Sequence, residues 1–385
     1  MIPIQRIMGL GILLLVVGFV FGCGPTGSGD DSMRDRLLLS DWEPASEFLL
    51  PETEVVSARY PAIDLHCHDY GLTPEGVKDW VTTMDEVGIE QSAILSMIVG
   101  ARFDSLVEMY GAYPDRFQLW CGLDFTGFDK DDWSQRAIRE LERCAAAGAI
   151  GVGELGDKGT GLWGGPVYGL RVDRVEDYRN ALTDPKSKYV ARGLHPDDPK
   201  LKPVFARCAE LGLPVNLHVA DPIWMYKPID KHNEGLWGAL DWQVKVVEGM
   251  KGHEAMIEVI NRACASNPRT KFVACHNVNL SHDLARLGRL LDEHANLYVD
   301  ISARFNLMAS TPRQAKKILI RHQDRFVYGT DMGRELEMYR WTLRILETDD
   351  EHFYRGGYRP LHGINLPAEV LKKLYRDNAV KILAM

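Results

Sequence analysis

The segment PAIDLHCH, residues 61–68, predicts a buried β-strand that ends in two histidines. Side chains alternate between the two faces of a strand, so His66 and His68 share one face and Cys67 takes the other. Residues two apart are separated by about 7 Å along a strand. Two imidazoles at that spacing can close on one metal ion, so the segment indicates the start of a metal site.

Three later strand-like segments also end in residues that bind metals. They are VNLH, FVACH and FVYGTD, which end at His218, His276 and Asp331. A fourth segment, residues 150–155, carries Glu154 near its end. Divalent ions accept both histidine nitrogen and carboxylate oxygen as ligands. Any one of these histidines alone has a structural explanation, whereas the whole set in strand order indicates a metal centre.

From Ile63 onward, short apolar strands alternate with longer amphipathic helices, a pattern typical of a parallel sheet wrapped by helices. Thr73-Pro74-Glu75, for example, predicts a helix start, with a capping residue before proline at the first helical position. Eight such pairs predict an α/β fold, a (β/α)₈ TIM barrel. Chemistry in this fold lies at the C-terminal ends of the strands, where the candidate ligands fall.

Two long insertions interrupt the repeat at residues 157–199 and 221–252, and both follow strands. They are predicted to lie at the C-terminal face, over the mouth of the barrel. Their aromatic side chains can line a substrate pocket or pack the insertions against each other. These side chains are Trp163, Tyr168, Trp224, Tyr226, Trp237 and Trp242. Trp224 is the candidate substrate contact among them.

Two motifs, residues 64–68 (DLHCH) and 328–331 (YGTD), carry a family resemblance together with a closing RDNA at 376–379. From Ile63 to the C-terminus, the chain resembles the amidohydrolase superfamily. Within it, the chain is similar to the amidohydrolase-related (amidohydrolase 2) branch of metal-dependent TIM-barrel hydrolases. The resemblance implies metal ligands at His66, His68, His218, His276 and Asp331. It says little about the substrate.

Glu154 departs from that branch, many members of which carry lysine near this position. The segment Gly153-Glu154-Leu155-Gly156 resembles TatD-like hydrolases instead, where the glutamate bridges two metal ions. A bridge here implies one ion on His66, His68 and Asp331, and a second on His218 and His276. If Glu154 does not bridge, one ion held by His66, His68, His218 and Asp331 is sufficient. We therefore expect one or two divalent ions; the ligands suit zinc, with manganese, iron and nickel as alternatives.

A divalent ion with an open coordination position lowers the pKa of bound water from 15.7 toward about 7. Asp331 is the predicted general base for that water, and His276 can bind a second ion or hydrogen-bond the substrate. The leading hypothesis is a metal-dependent hydrolase of small-molecule esters, lactones or amides. Arg304, after the seventh strand, can clamp a substrate carboxylate or phosphate, with a salt bridge as the alternative.

Three other functions fit parts of the sequence. The branch also resembles aminocarboxymuconate-semialdehyde decarboxylase, which implies metal-dependent, non-oxidative decarboxylation, although Glu154 argues against it. A TatD-like phosphodiesterase is disfavoured by the net charge of −9, because nucleic-acid binding needs a basic surface. A glycan-binding lipoprotein with a structural metal is disfavoured because a structural site closes with four ligands and has no open position.

The N-terminus resembles a bacterial lipoprotein signal, since an apolar run from Ile7 to Phe21 ends at Gly22-Cys23. The run is shorter than the roughly 20 residues of a membrane span. We expect a signal peptide at 1–22, a lipid on Cys23, a flexible tether and lead-in at 23–58, and the barrel at 59–385. The protein is then a lipid-anchored membrane protein of the cell envelope, facing the periplasm or exterior. An ordinary secretory signal is the alternative.

The other six cysteines lie at irregular spacing in predicted strands and helices. They are Cys67, Cys121, Cys144, Cys208, Cys264 and Cys275. Most are expected to be buried and inert, and one disulfide is left open. The sequence is compatible with a homo-oligomer and does not determine the oligomeric state.

Overall fold

The computed structural model describes residues 36, 38, 41–163, 190–242, 247–355, 357 and 359–383. The chain divides into two compact units, Met1–Pro44 and Ala45–Met385. In the first unit, the described residues include a turn in which the Asp41 N–H donates to the Leu38 carbonyl at 3.0 Å. The predicted signal peptide and Cys23 lie outside the described residues, so those domain boundaries stay predictions. None of the helices in the described part of the chain has the length and apolarity that a membrane span requires.

Within the described residues, ten strands form one sheet, and eight of them run parallel and form a barrel. The barrel strands are β1 Ala62–Cys67, β2 Ile89–Leu95, β3 Phe117–Cys121, β4 Gly151–Asp157, β7 Val215–Val219, β8 Phe272–Ala274, β9 Leu297–Asp300 and β10 Phe326–Val327. Main-chain hydrogen bonds close the circle. The Leu65 N–H donates to the Tyr328 carbonyl at 3.0 Å, and the Asp331 N–H donates to the His66 carbonyl at 2.9 Å. The prediction of a (β/α)₈ TIM barrel is confirmed.

Helices follow the strands and cover the outside of the barrel. They are α1 Pro74–Val87, α2 Gly100–Tyr110, α3 Trp133–Ala146, α4 Lys202–Glu210, α5 Leu236–Trp242, α6 His253–Ser266, α7 Leu284–Glu293, α8 Phe305–Ser310, α9 Pro312–Arg321, α10 Leu336–Glu347, α11 Ala368–Lys372 and α12 Asn378–Leu383. The start of α1 is the predicted one, because the Thr73 hydroxyl accepts the Gly76 N–H at 3.1 Å. Gly88 ends this helix with a φ of 76°.

Buried apolar side chains form two layers. A large layer packs between the strands and the helices, and a smaller one fills the barrel. The strand residues of the smaller layer are Ile63, Leu65, Ala93, Leu95, Trp120, Val273, Tyr298 and Val327. Each fully buried Ile, Leu or Val side chain among them contributes roughly 1.5–3 kcal/mol. The filled interior makes the barrel a solid support for the side chains at its mouth.

The first insertion begins with a short antiparallel ladder that the sequence pattern did not predict. Strand β5, Gly161–Trp163, pairs with the end of β4, and β6, Val190–Arg192, pairs with β5. Gly156 in β4 is required here, because a Cβ would lie 2.0 Å from the Trp163 ring. Tyr168 and the other residues of 164–189 lie outside the described residues.

The second insertion folds over the ends of β4 and β7. Its 3₁₀ helix, Ile223–Tyr226, carries Tyr226, whose hydroxyl donates to the Lys158 carbonyl at 3.2 Å. Trp224 lies against Gly235, where a Cβ would come within 2.0 Å of the indole. The structure thus packs Trp224 within its own insertion, and its contact with substrate stays a prediction.

Candidate metal centre

His66 and His68 reach the barrel mouth because β1 contains a β-bulge. The register of β1 against β2 shifts between Asp64 and Cys67, and a bulge re-aims the side chains that follow it. The rings of His66 and His68 have centroids 5.5 Å apart. The Cys67 thiol lies on the other side of the strand, 3.9 Å from the Thr330 hydroxyl.

Both imidazoles are held through Nδ1. Nδ1 of His66 donates to Asp300 Oδ2 at 2.9 Å, and Nδ1 of His68 donates to the Leu95 carbonyl at 2.9 Å. A histidine whose Nδ1 donates in this way keeps its lone pair on Nε2, the arrangement of a metal-binding imidazole. Nε2 of His66 is buried and has no hydrogen-bond partner among the described residues.

Glu154 lies between histidines of three other strands or strand ends. It lies within a register shift of β4 against β7, between Val152 and Leu155, and its side chain is 3 % exposed. Oε2 is 3.4 Å from Nε2 of His68, while Oε1 contacts Nδ1 of His218 and lies 4.0 Å from Nε2 of His276. The two oxygens therefore face different histidines, as a bridging carboxylate would.

His218, in β7, has a carboxylate at each ring nitrogen. Nδ1 faces Glu154, and Nε2 lies 3.3 Å from Asp221 Oδ1. The other Asp221 oxygen pairs with Lys158 Nζ at 2.7 Å. Asp221 thus orients the His218 ring, and Lys158 offsets the negative charge of Asp221.

His276 enters the site through an unusual backbone. It begins a turn, His276–Asn279, in which all four residues have positive φ, 61° at His276 itself. Such a conformation costs roughly 1–2 kcal/mol per residue and concentrates at functional sites. Nδ1 of His276 donates to the Ser302 carbonyl at 3.0 Å, which leaves Nε2 3.6 Å from Asp331 Oδ2.

Asp331 is the carboxylate of the cluster that reaches solvent. Its side chain is 21 % exposed, against 3 % for Glu154. Oδ1 lies 3.2 Å from Nε2 of His68 and 3.8 Å from Nε2 of His66. The Tyr70 hydroxyl also donates to Oδ1, at 3.2 Å. Asp331 can therefore contact the metal region and the open mouth at once.

The charged groups of the cluster strongly shift one another's pKa values. Burial by itself lowers the pKa of His66, but Asp300 and Asp331 more than offset it and raise that pKa to about 10, so these carboxylates favour a cation on this imidazole, a proton in the absence of metal or a metal ion at Nε2. Burial raises the pKa of Asp331, yet the imidazoles of His66 and His68 hold it below its ordinary value. Burial, together with the charges of Arg304 and His218, holds the pKa of His276 well below its ordinary value. The buried carboxylates therefore stay ionised and attract positive charge.

These donors fit a divalent cation. Ligand atoms of His66, His68 and Asp331 all lie within 4.8 Å of one another. A second group of the same tightness consists of His66, Glu154, Cys275 and His276. His66 is common to both groups, and its Nε2 has no hydrogen-bond partner among the described residues. His218 is in neither group. Its Nδ1 contacts Glu154, a member of the second group, so its role as a metal ligand stays a prediction.

Arg304, the other candidate substrate contact, is buried beside the cluster. Its Nε and Nη2 donate to Asn279 Oδ1 at 3.2 and 2.7 Å, and Nη1 donates to the Ala303 carbonyl at 2.9 Å. In the described part of the chain, these are neutral acceptors and no carboxylate pairs with it. Two of its five N–H groups are left over. The structure thus does not show the alternative salt bridge, and a substrate anion stays the prediction.

Several supporting residues were missed at the level of sequence. Asp300 ends β9 just as the predicted ligands end their strands, so its position was a usable signal. Tyr70 follows His68 by two residues and had no such signal. Asp221 lies three residues after its partner His218, Ser302 contacts histidines distant in sequence, and Cys275 was grouped with the inert thiols.

A sequence model of the amidohydrolase family matches residues 63–385. The chain belongs to the amidohydrolase family, as its motifs predicted, and it is an enzyme. No sequence among curated proteins matches it.

Solved structures share the barrel. A 2,6-dihydroxybenzoate decarboxylase from Rhizobium is 15% identical, with a TM-score of 0.52, covering 84% of this chain and 99% of that chain. A dihydroxybenzoic acid decarboxylase from Polaromonas sp. JS666, with bound manganese and the inhibitor 2-nitroresorcinol, is 16% identical, with a TM-score of 0.50, covering 84% and 97%. At these identities the likeness shows the fold.

Proposed function

We propose that the protein is a metal-dependent hydrolase of a C–O or C–N bond in a small molecule, such as an ester, lactone or amide. Glu154 carries the proposal, because its two oxygens face His68 and His218 from a buried position. That geometry suits a bridge between two ions and supports the two-ion hypothesis. When bound, the metal polarises the carbonyl oxygen and supplies hydroxide at neutral pH.

The chain's own residues manage the proton. Asp331 is the proposed general base, since it is the exposed carboxylate next to His66 and His68, and it later returns the proton to the leaving group. The Tyr70 hydroxyl holds Asp331 Oδ1 in place. His276 has a low pKa and stays neutral, so its Nε2 is available to a metal or to the substrate oxygen.

Non-oxidative decarboxylation is the second candidate. The two solved decarboxylases share this fold. Among proteins of this architecture, these two structures favour decarboxylation over hydrolysis. Within the chain, Arg304 supports it, since a buried guanidinium with neutral partners suits a substrate carboxylate. In that reaction Asp331 would first take a proton from water or from a substrate hydroxyl and would then pass it to the carbon that loses CO₂.

One experiment separates the two functions. Protein loaded with zinc, and separately with manganese, is screened against esters, lactones, amides and hydroxybenzoates while acid formation and CO₂ release are both measured. We expect hydrolysis that a chelator abolishes and zinc restores. Release of CO₂ without hydrolysis would contradict the first proposal and favour the second.

The number of ions depends on Glu154. If it bridges, the protein should bind close to two divalent ions per chain, and Glu154→Gln should release at least one, because an amide bridges poorly. Metal analysis of the purified variants measures this. Glu347→Gln is the matched control, a buried glutamate that instead accepts the Tyr375 hydroxyl at 2.9 Å. One ion per chain that survives Glu154→Gln would place Glu154 outside the metal coordination.

The proposed location follows from the N-terminal motif. Cys23→Ala is expected to move the protein from the membrane fraction to the soluble fraction, since the variant cannot carry the proposed acyl chains. Mass spectrometry of the wild-type N-terminus should show the added lipid. Wild-type protein without acyl mass, or a variant that stays in the membrane fraction, would contradict lipid anchoring.

A further inference from the structure

Cys275 lies against the metal centre although nothing in its sequence position marks it as a ligand. It is 1 % exposed, and it continues the alternation of Val273, which faces the barrel interior. The next residue, His276, has a φ of 61°. This turn breaks the alternation, so that consecutive side chains enter the same space.

The Cys275 sulfur is close to three candidate metal ligands at once. Its Sγ and the ligand atoms of His66, Glu154 and His276 all lie within 4.8 Å of one another. These donors come from β1, β4 and the end of β8, so the grouping is a product of the fold. Sulfur, nitrogen and oxygen together form a donor set typical of a transition-metal site.

Asn216 provides an independent observation at the same thiol. The Cys275 thiol donates to Asn216 Oδ1 at 3.0 Å, whereas the buried Nδ2 of Asn216 has no partner among the described residues. The oxygen and the nitrogen of an asparagine side chain are told apart only by their hydrogen bonds. With the amide rotated end for end, Nδ2 would donate to the sulfur. A thiolate only accepts hydrogen bonds, so a metal-bound Cys275 would satisfy the orphan donor of Asn216.

We propose that Cys275 is a sulfur ligand of the metal centre, together with Glu154 and His276. Binding replaces the S–H bond with a sulfur–metal bond and releases one proton to solvent, with no change in oxidation state. A thiolate favours zinc, cobalt or cadmium over manganese and magnesium, which prefer oxygen. The inference rests on the proposed metal centre and assigns it a preference for sulfur-binding ions.

Absorption spectroscopy of the cobalt(II)-loaded full-length protein tests the ligand directly. The wild type should show a sulfur-to-cobalt charge-transfer band in the near ultraviolet, and Cys275→Ser should lose that band. Cys264→Ser should keep it, because Cys264 is a buried thiol of α6 that belongs to neither donor group. Cobalt content is measured for every sample, so loss of the band is separated from loss of the ion.

Metal competition gives a second measurement that does not depend on colour. With a chelator as competitor, Cys275→Ser should lower zinc and cadmium affinity by at least about tenfold, with a smaller change for manganese. Cadmium-loaded wild type, examined by X-ray absorption, should show a sulfur neighbour even if the variant folds poorly. Cobalt bound without a sulfur band, or a band that persists in Cys275→Ser, would overturn this proposal alone. A wild type that binds none of these ions would overturn the metal centre with it.

Discussion

Replacing His68 with alanine is expected to remove tight metal binding and activity together. Its Nε2 lies 3.2 Å from Asp331 and 3.4 Å from Glu154, and it belongs to the donor group of His66 and Asp331. Loss of an outer residue around a metal site costs about 10–100-fold in affinity, and a direct ligand should cost at least the upper end of that range. His66→Ala should have the same effect, with added destabilisation because Oδ2 of buried Asp300 would lose its imidazole partner.

Chelator competition and metal analysis measure the loss, with melting temperatures to confirm folding. His322→Ala is the matched control, because His322 is buried as His66 is but lies near Asp292, at 3.9 Å, rather than in either donor group. It should keep both metal and activity. Activity that persisted in the double variant His66→Ala, His68→Ala after chelation would show that the reaction does not depend on the metal.

Local sequence patterns were sufficient to predict most of the helices and strands of the barrel. Thr73 and Pro74 predicted the start of α1, and the structure places it there. By contrast, β5 and β6 are three residues each, too short for an alternation pattern, and their pairing depends on Trp163 packing on Gly156. Such a contact is tertiary and has no local signal.

In the candidate site too, some features have a local sequence signal and others depend on tertiary contacts. Strand ends predicted that His66, Glu154, His276 and Asp331 would meet, because parallel strands finish at one face of a barrel. The bulges in β1 and β4, which aim the side chains inward, are properties of strand pairing and leave no clear mark in a single sequence. Arg304 was predicted to be near substrate, but its neutral partners could not be foreseen.

Asp331→Asn is expected to separate metal binding from catalysis. An amide oxygen can still coordinate an ion weakly, so excess zinc should restore occupancy in the variant. The amide cannot accept the proton of the attacking water, and losing a general base lowers the rate by about 10² or more. Turnover at saturating zinc, with the metal content measured on the same samples, tests this expectation.

Tyr70→Phe is the matched control, because it removes the hydroxyl that donates to Asp331 Oδ1 at 3.2 Å and leaves the carboxylate in place. Its rate should fall less than that of Asp331→Asn, since the base is then poorly oriented but present. If fully loaded Asp331→Asn kept more than about a tenth of the wild-type rate, Asp331 would be a ligand only. The proton would then have to pass through another group, and His276, 3.6 Å from Asp331 Oδ2, is the nearest candidate in the described cluster.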